Sequence, residues 1–287
     1  MTDSADRAEG VEAIEVVVGA GDADLVSGLL WGTGVSAVSE ETTEASTVLL
    51  RCDVPPGGLD AVRHALGELS AEARLVVVDD GLDSWRAHAE AVRAGRRLVV
   101  RPPWVPLGEV APDTVVIELD PGRAWGHGAH PTSRLCLAEV ELLVDTSPGC
   151  HVIDVGCGSG VLSVAAAMLG ASRVVAVDID PEACRTTADN AERNGVAERV
   201  ETHLVAADVG GDPLDGVVGR ADLVVANIGA ATLVDLAPHL LNHVALDGTL
   251  VVSGLLDPPP PEVAAAFAPR RLVRAVYSDG WSVLVFV

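Results

Sequence analysis

The stretch from Asp154 to Gly160, DVGCGSG, places an acid two residues ahead of three glycines at alternate positions, Gly156, Gly158 and Gly160. The residues leading into it, HVIDV, read as a buried strand, and VLSVAAAMLG after it reads as a helix. A glycine-rich turn between strand and helix lets a ligand approach the backbone closely. It also sets that ligand at a helix N-terminus, where backbone N–H groups lack partners. Several nucleotide-binding classes share this arrangement, and two details separate them. The dinucleotide fingerprint puts its third glycine one place later, where this chain has Val161. Asp154 would disfavour a pyrophosphate, whereas it suits a ligand that brings positive charge.

S-adenosylmethionine carries a sulfonium and an ammonium and meets that condition. The remaining acids fall where a nucleoside needs them. Asp178 ends the run VVAVD and lies twenty-two residues past Gly156, close to the spacing at which a carboxylate accepts from both ribose hydroxyls. Asp180 precedes Pro181 and reads as the N-cap of the next helix. Asp208, at the end of HLVAAD, is placed to touch an adenine amino group and is equally consistent with a solvated loop aspartate. Asn227 ends the apolar run in VVANI. Asp154, Gly156, Gly158, Asp178, Asp208 and Asn227 therefore share the C-terminal strand ends, the edge at which open α/β sheets bind ligands.

A second chemistry-bearing stretch, DPGRAWGHGAHPTS, runs from Asp120 to Ser133. His127 and His130 have no third acidic or cysteine ligand at suitable spacing, so no metal site is expected. Pro131, Thr132 and Ser133 would open a helix.

Two sets of elements must position these residues. Residues 1–80 alternate in the order β-α-β-β-α-β, that of a ferredoxin-like α+β sandwich. Residues 81–112 read as a linker: a short helix over LDSWRAHAEAVR, a strand RRLVVRP and a proline-bearing turn. Residues 113–287 give apolar strands spaced by longer helices, the pattern of a mostly parallel, Rossmann-like sheet covered on both faces. Its last two strands, RLVRAVYSD and WSVLVFV, would form an antiparallel edge pair. The 42 acidic residues outnumber 19 cations, all of them arginine, for a net charge of -23. That balance argues against direct nucleic-acid binding and suits a basic partner. Five scattered cysteines without a CxxC pair, no membrane-length apolar run and no leader-like N-terminus point to a reducing cytoplasm.

Taken together, WGHGAHPTSRLCL, VIDVGCGSGVLSVAA, AVDIDPEA, DNAERNGV, VVANI and VVSGLL resemble the PrmA family. These are class I methyltransferases that modify the eleventh protein of the large ribosomal subunit. The resemblance covers the second half closely and extends more weakly to the front. It implies a front domain that recognises the protein substrate, S-adenosylmethionine as methyl donor, and lysine or N-terminal amines as acceptors. It also implies cofactor contacts at Ser133, Gly156, Asp178 and Asn227, and a mobile loop, loosened by its glycines, covering the methionine end of the cofactor. Asn227 would position the attacking amine, with His127 a second catalytic candidate as general base and His130 a structural or substrate-positioning residue. The chain departs from the family in two places. Gly126-His127-Gly128 stands where G-T-G is usual, and Asn227-Ile228-Gly229 where N-I-L or N-L is usual. A small-molecule N- or O-methyltransferase on the same fold and a non-catalytic S-adenosylmethionine-binding module are the alternatives.

Overall fold

The computed structural model describes residues 11–287 except 32, 34, 36–37, 43–46, 56, 68, 70, 79–87, 123, 125, 207–211 and 217–218. The chain divides into two compact units, Met1–Ala87 and His88–Val287.

In the first unit, β1 (Val11–Gly19), α1 (Ala23–Trp31), β2 (Val38–Thr42), β3 (Thr47–Asp53), α2 (Gly58–Leu66) and β4 (Glu72–Val78) follow one another. The strands form an antiparallel sheet in the order β2-β3-β1-β4. The two-residue period of a strand sorts its side chains. Ile14, Val16 and Val18 of β1 are buried with Val26 and Leu30 of α1 and Val62 and Leu66 of α2. On the alternate positions Glu15 accepts from Arg51 at 2.6 Å and Arg74 at 2.7 Å, so its carboxyl is held below the usual range, chiefly by the Arg51 bond.

The second unit begins with β5 (Val92–Ala94), β6 (Leu98–Arg101) and β7 (Val115–Glu118), which make a small sheet of their own. Two sequence expectations change here. Val92 and Arg93, assigned to a helix, lie in β5, because Val92 pairs with Val100 across a tight turn. The strand β7 was not anticipated, and it pairs parallel with β6. Residues 88–101, expected in a linker, are thus built into the second unit; residues 82–87 lie outside the described residues.

Then come α3 (Pro131–Thr146), β8 (His151–Val155), α4 (Val161–Leu169), β9 (Arg173–Asp178), α5 (Pro181–Arg193), β10 (Val200–Leu204), β11 (Ala221–Asn227), α6 (Ala230–His243), β12 (Val244–Leu256), α7 (Pro261–Ala266), β13 (Leu272–Ser278) and β14 (Trp281–Phe286). The large sheet runs β10-β9-β8-β11-β12-β14-β13. The first five strands are parallel and β14 is antiparallel to both neighbours. Residues of α3 and α4 bury one face of the sheet, while residues of α6 and α7 bury the other. Central strands covered on both sides need apolar residues at every position, which is why Val152, Ile153, Val224, Val225 and Ala226 run together.

Helix α3 carries two buried acids, each tied to a different sheet. Glu139 binds Arg274 of β13 at 2.5 Å. Glu141, 1% exposed, accepts from the backbone N–H of Arg96 at 2.6 Å and of Arg97 at 3.2 Å in the β5–β6 turn. Buried carboxylates are tolerable only with such partners, so these two acids fix where the N-terminus of α3 points.

Candidate functional site

The strand order reverses between β8 and β11. β9 and β10 lie to one side of β8, and β11 and β12 lie to the other. At such a switch point the loops leaving adjacent strands diverge and open a crevice beyond their C-terminal ends. Val155 pairs with Val177 on one side and Ala226 on the other. Gly156, Asp178 and Asn227 follow those three residues directly, so all three stand level at the mouth of the crevice.

The glycine turn is held from below and from the side. Gly156 has φ +76°, a left-handed conformation that disfavours side chains. A Cβ there would also lie 2.5 Å from Cγ2 of Ile228, so glycine is required both for the turn and for this close approach. The N–H of Gly158 donates to Oδ2 of Asp178 at 2.9 Å, and the N–H of Asp180 donates to Oδ1 at 3.0 Å. Asp178 thus ties the glycine turn to the start of α5, and each of its oxygens keeps a further lone pair. Asp180 caps α5 as expected, accepting from Glu182 at 2.8 Å.

Asp154 lies beneath the turn, 1% exposed. Its Oδ2 accepts from Ser163 at 2.6 Å, and its Oδ1 has no partner among the described residues. Burial raises the carboxyl to about 6, against the lowering effect of Ser163. An unpaired buried carboxylate oxygen under a glycine turn is the donor set expected of a site for a cationic group. The residues therefore fit S-adenosylmethionine, whose positive charge would favour the ionised form of that carboxyl.

The stretch from Glu118 to His130 is pinned at several points, contrary to the expectation that its glycines loosen it. Asn190 donates to the carbonyl of Asp120 at 2.9 Å and accepts from its N–H at 3.0 Å. Asn194, one turn along α5, makes the same pair of bonds to Glu118 at 2.7 and 2.9 Å. The hydroxyl of Ser159 donates to the carbonyl of Gly126 at 2.6 Å. A Cβ at Gly128 would meet Cγ1 of Val100 at 2.9 Å. These glycines serve close packing. His130 caps α3 by accepting from the Thr132 N–H, and its ring makes a T-shaped contact with Trp281 at a centroid distance of 4.7 Å.

Ser133 is buried in the first turn of α3, 3% exposed. Cys136, one turn further, is fully buried beside Ser253 and Asp154, and burial pushes its thiol up. His127 is exposed. Its Nδ1 accepts from Ala129 at 3.3 Å, and desolvation, with His130 nearby, holds it below the usual histidine range. Asn227 is half-buried, and no hydrogen bond to its side chain occurs among the described residues. Asp208 lies outside the described residues. Among them, no group of three or more His, Cys, Asp or Glu side chains could hold a metal, and no helix is long and apolar enough to cross a membrane.

Sequence reasoning missed Ser159, Ser163, Asn190 and Asn194. The pair Asn190 and Asn194 left a signal, because amides four residues apart share one helix face.

The comparison with known proteins bears on this geometry. Residues 17–287 match the family of ribosomal protein L11 methyltransferases (PrmA). The chain belongs to that family. A ribosomal protein L11 methyltransferase from Pelotomaculum thermopropionicum is 47% identical over 219 residues, covering 76% of this chain and 65% of the relative. One from Pseudomonas aeruginosa is 38% identical over 261 residues, 90% of this chain and 82% of the relative. The chain thus spans just under two thirds of the length of the first of these relatives. A crystal structure of a ribosomal protein L11 methylase from Lactobacillus delbrueckii subsp. bulgaricus superposes with a TM-score of 0.61 at 32% identity, covering 69% of this chain and 98% of that one. The resemblance read from the motifs is borne out, as is the mostly parallel α/β fold.

Proposed function

We propose that this member of the L11 methyltransferase family transfers methyl groups from S-adenosylmethionine to lysine or N-terminal amines of the large-subunit ribosomal protein L11. The observation that carries the reading is the level set of Gly156, Asp178 and Asn227 at the switch point, with the unpaired Asp154 oxygen beneath it. In this reading the glycine turn and Ser133 serve the methionine end of the cofactor. Asp178 takes the ribose on its spare lone pairs, and Asp208 the adenine. S-adenosylmethionine supplies a methyl group that is already activated for in-line displacement. What remains for the protein is alignment of a neutral amine and exclusion of water. The Asn227 amide oxygen is free to accept from that amine and aim its lone pair. His127 is the weaker candidate for this work. While its Nδ1 accepts from Ala129, a neutral ring carries its proton on Nε2 and cannot take another there.

The first unit, whose strand order is that of a ferredoxin-like sandwich, holds the protein substrate in this reading. The charge of -23 supports a basic protein partner in the cytoplasm and opposes direct contact with nucleic acid or an anionic membrane. Calorimetric titration with S-adenosylmethionine, followed by mass spectrometry of purified L11 after incubation, tests it. Cofactor binding without methylated L11 would favour a small-molecule acceptor, and binding without any transfer a non-catalytic module. Asn227→Ala should slow single-turnover transfer about thirty- to hundred-and-fifty-fold, the loss of one positioning hydrogen bond. A rate within about threefold of wild type, a difference under ~1 kcal/mol, would remove Asn227 from that role.

A further inference from the structure

The motif VVSGLL in β12 has no part in the site as described, yet it lies directly against it. Asn227 pairs with Ser253 across the β11–β12 ladder, and the N–H of Ile228 donates to the Ser253 carbonyl at 3.2 Å. The next residue, Gly254, has φ +86°. A Cβ on it would fall 2.3 Å from the Ile228 oxygen, 2.7 Å from its carbonyl carbon and 3.0 Å from its nitrogen. Those atoms are main chain and cannot rotate aside. At the same point the ladder between β12 and β14 breaks register, between Val252 and Leu255, the mark of a bulge. Two fully buried serines stitch the bulge in place. Ser253 donates to the Ser282 carbonyl at 2.8 Å, and Ser282 donates to the Leu256 carbonyl at 3.2 Å. The side chain of Ile228 in turn rests on Gly156.

We infer that Gly254 is a positioning residue for methyl transfer: its bulge seats the Ile228 peptide, and through that peptide fixes where Asn227 stands beside the glycine turn. The inference rests on the proposed role of Asn227. An α-carbon bearing hydrogen alone is the condition for that seat. Any side chain at 254 must push residue 228 out of the crevice floor, or move β12 away from β11.

A second glycine in the same strand supplies the control. A Cβ at Gly248, toward the other end of β12, would meet the Ala221 oxygen at 2.9 Å and the Asp222 oxygen at 3.0 Å. Gly248→Ala therefore imposes a main-chain clash far from the cofactor end, milder than that at Gly254 and without its left-handed backbone. The test compares Gly254→Ala, Ser253→Ala, Gly248→Ala and Asn227→Ala, each scored as single-turnover rate per folded molecule at saturating S-adenosylmethionine. Gly254→Ala should slow transfer about tenfold or more while cofactor affinity changes less than about fivefold, and Ser253→Ala should slow it about fivefold or more. Gly248→Ala should lose thermal stability and keep the wild-type rate. Should Gly254→Ala fail to fold, Ser253→Ala against Gly248→Ala decides. If Asn227→Ala is slow while Gly254→Ala and Ser253→Ala transfer at the wild-type rate, or if Gly248→Ala is slowed as much as they are, the positioning role is overturned. Wild-type rates for Asn227→Ala as well would instead sink the reading on which it rests.

Discussion

Asp154, next to last in β8, and Asp178, at the end of β9, stand on neighbouring strands, yet their surroundings give them opposite tasks. Asp178 accepts from two backbone N–H groups and so acts first on the protein, holding the glycine turn, and only with its remaining lone pairs on a ligand. Asp178→Ala should cost roughly 2–4 kcal/mol of S-adenosylmethionine affinity through loss of both functions. Calorimetry reads this directly, and an unchanged dissociation constant would show that the ribose is held elsewhere. Asp154 is buried with one oxygen unpaired, and its carboxyl is raised from 3.8 to about 6. Between those values the folded chain binds the proton more tightly than the unfolded chain. Stability without cofactor therefore falls as pH rises through this window, by roughly 3 kcal/mol for a two-unit shift. A cationic ligand near Oδ1 favours the ionised form, so cofactor affinity should weaken on acidification below about pH 6, roughly tenfold at pH 5. Asp154→Asn should flatten both dependences. An affinity independent of pH in the wild type would separate Asp154 from the cofactor.

At the scale of elements, the site depends on side chains that bind main chain. Asn190, Asn194 and Ser159 clamp the stretch from Glu118 to Gly126 onto α5 and the glycine turn. Ser159→Ala should cost about 1 kcal/mol and speed hydrogen exchange of the N–H groups at residues 126–130. Unchanged exchange there would mean that the Asn190 and Asn194 clamps suffice alone. This also marks where the sequence was legible. The strands β8, β9, β11 and β12 could be read because burial on both faces demands continuous apolar runs, and Gly156, Asp178 and Asn227 because each ends one of those runs. The cap of α5 was legible as Asp180-Pro181. The clamp was not, since a serine or asparagine bound to a distant carbonyl leaves no periodic trace. Gly126 and Gly128 suggested mobility for a related reason. A glycine chosen for close approach to Ser159 or Val100 looks in sequence like one chosen for freedom. β5 is three residues long and β7 four, too short for a period to emerge, so of the small sheet only β6 shows in the sequence as a strand.

For the molecule as a whole, that small sheet moves the boundary at which the catalytic half can be separated. A start near Asp113 follows from the motifs alone, since every cofactor motif lies beyond it. It would discard β5 and β6, however, and with them Leu98 and Val100, which are 1% exposed in the core that also holds Ile117, Leu137 and Val140. Glu141 would lose the N–H groups of Arg96 and Arg97 and become a buried carboxylate without those donors, a change that costs several kcal/mol. A chain truncated to begin at His88 keeps all of these contacts, because the second compact unit starts there. It should fold, bind S-adenosylmethionine within about threefold of the full chain, a difference under ~1 kcal/mol, and lose most of its activity on intact L11. The chain beginning at Asp113 should be markedly less stable and bind the cofactor poorly. Thermal melts with and without S-adenosylmethionine, together with methylation of intact L11, distinguish the two. Full activity on intact L11 from the His88 truncation would remove substrate recognition from the first unit. A stable, cofactor-binding chain from Asp113 would show that β5 and β6 are an appendage, and that α3 holds its place over the crevice without them.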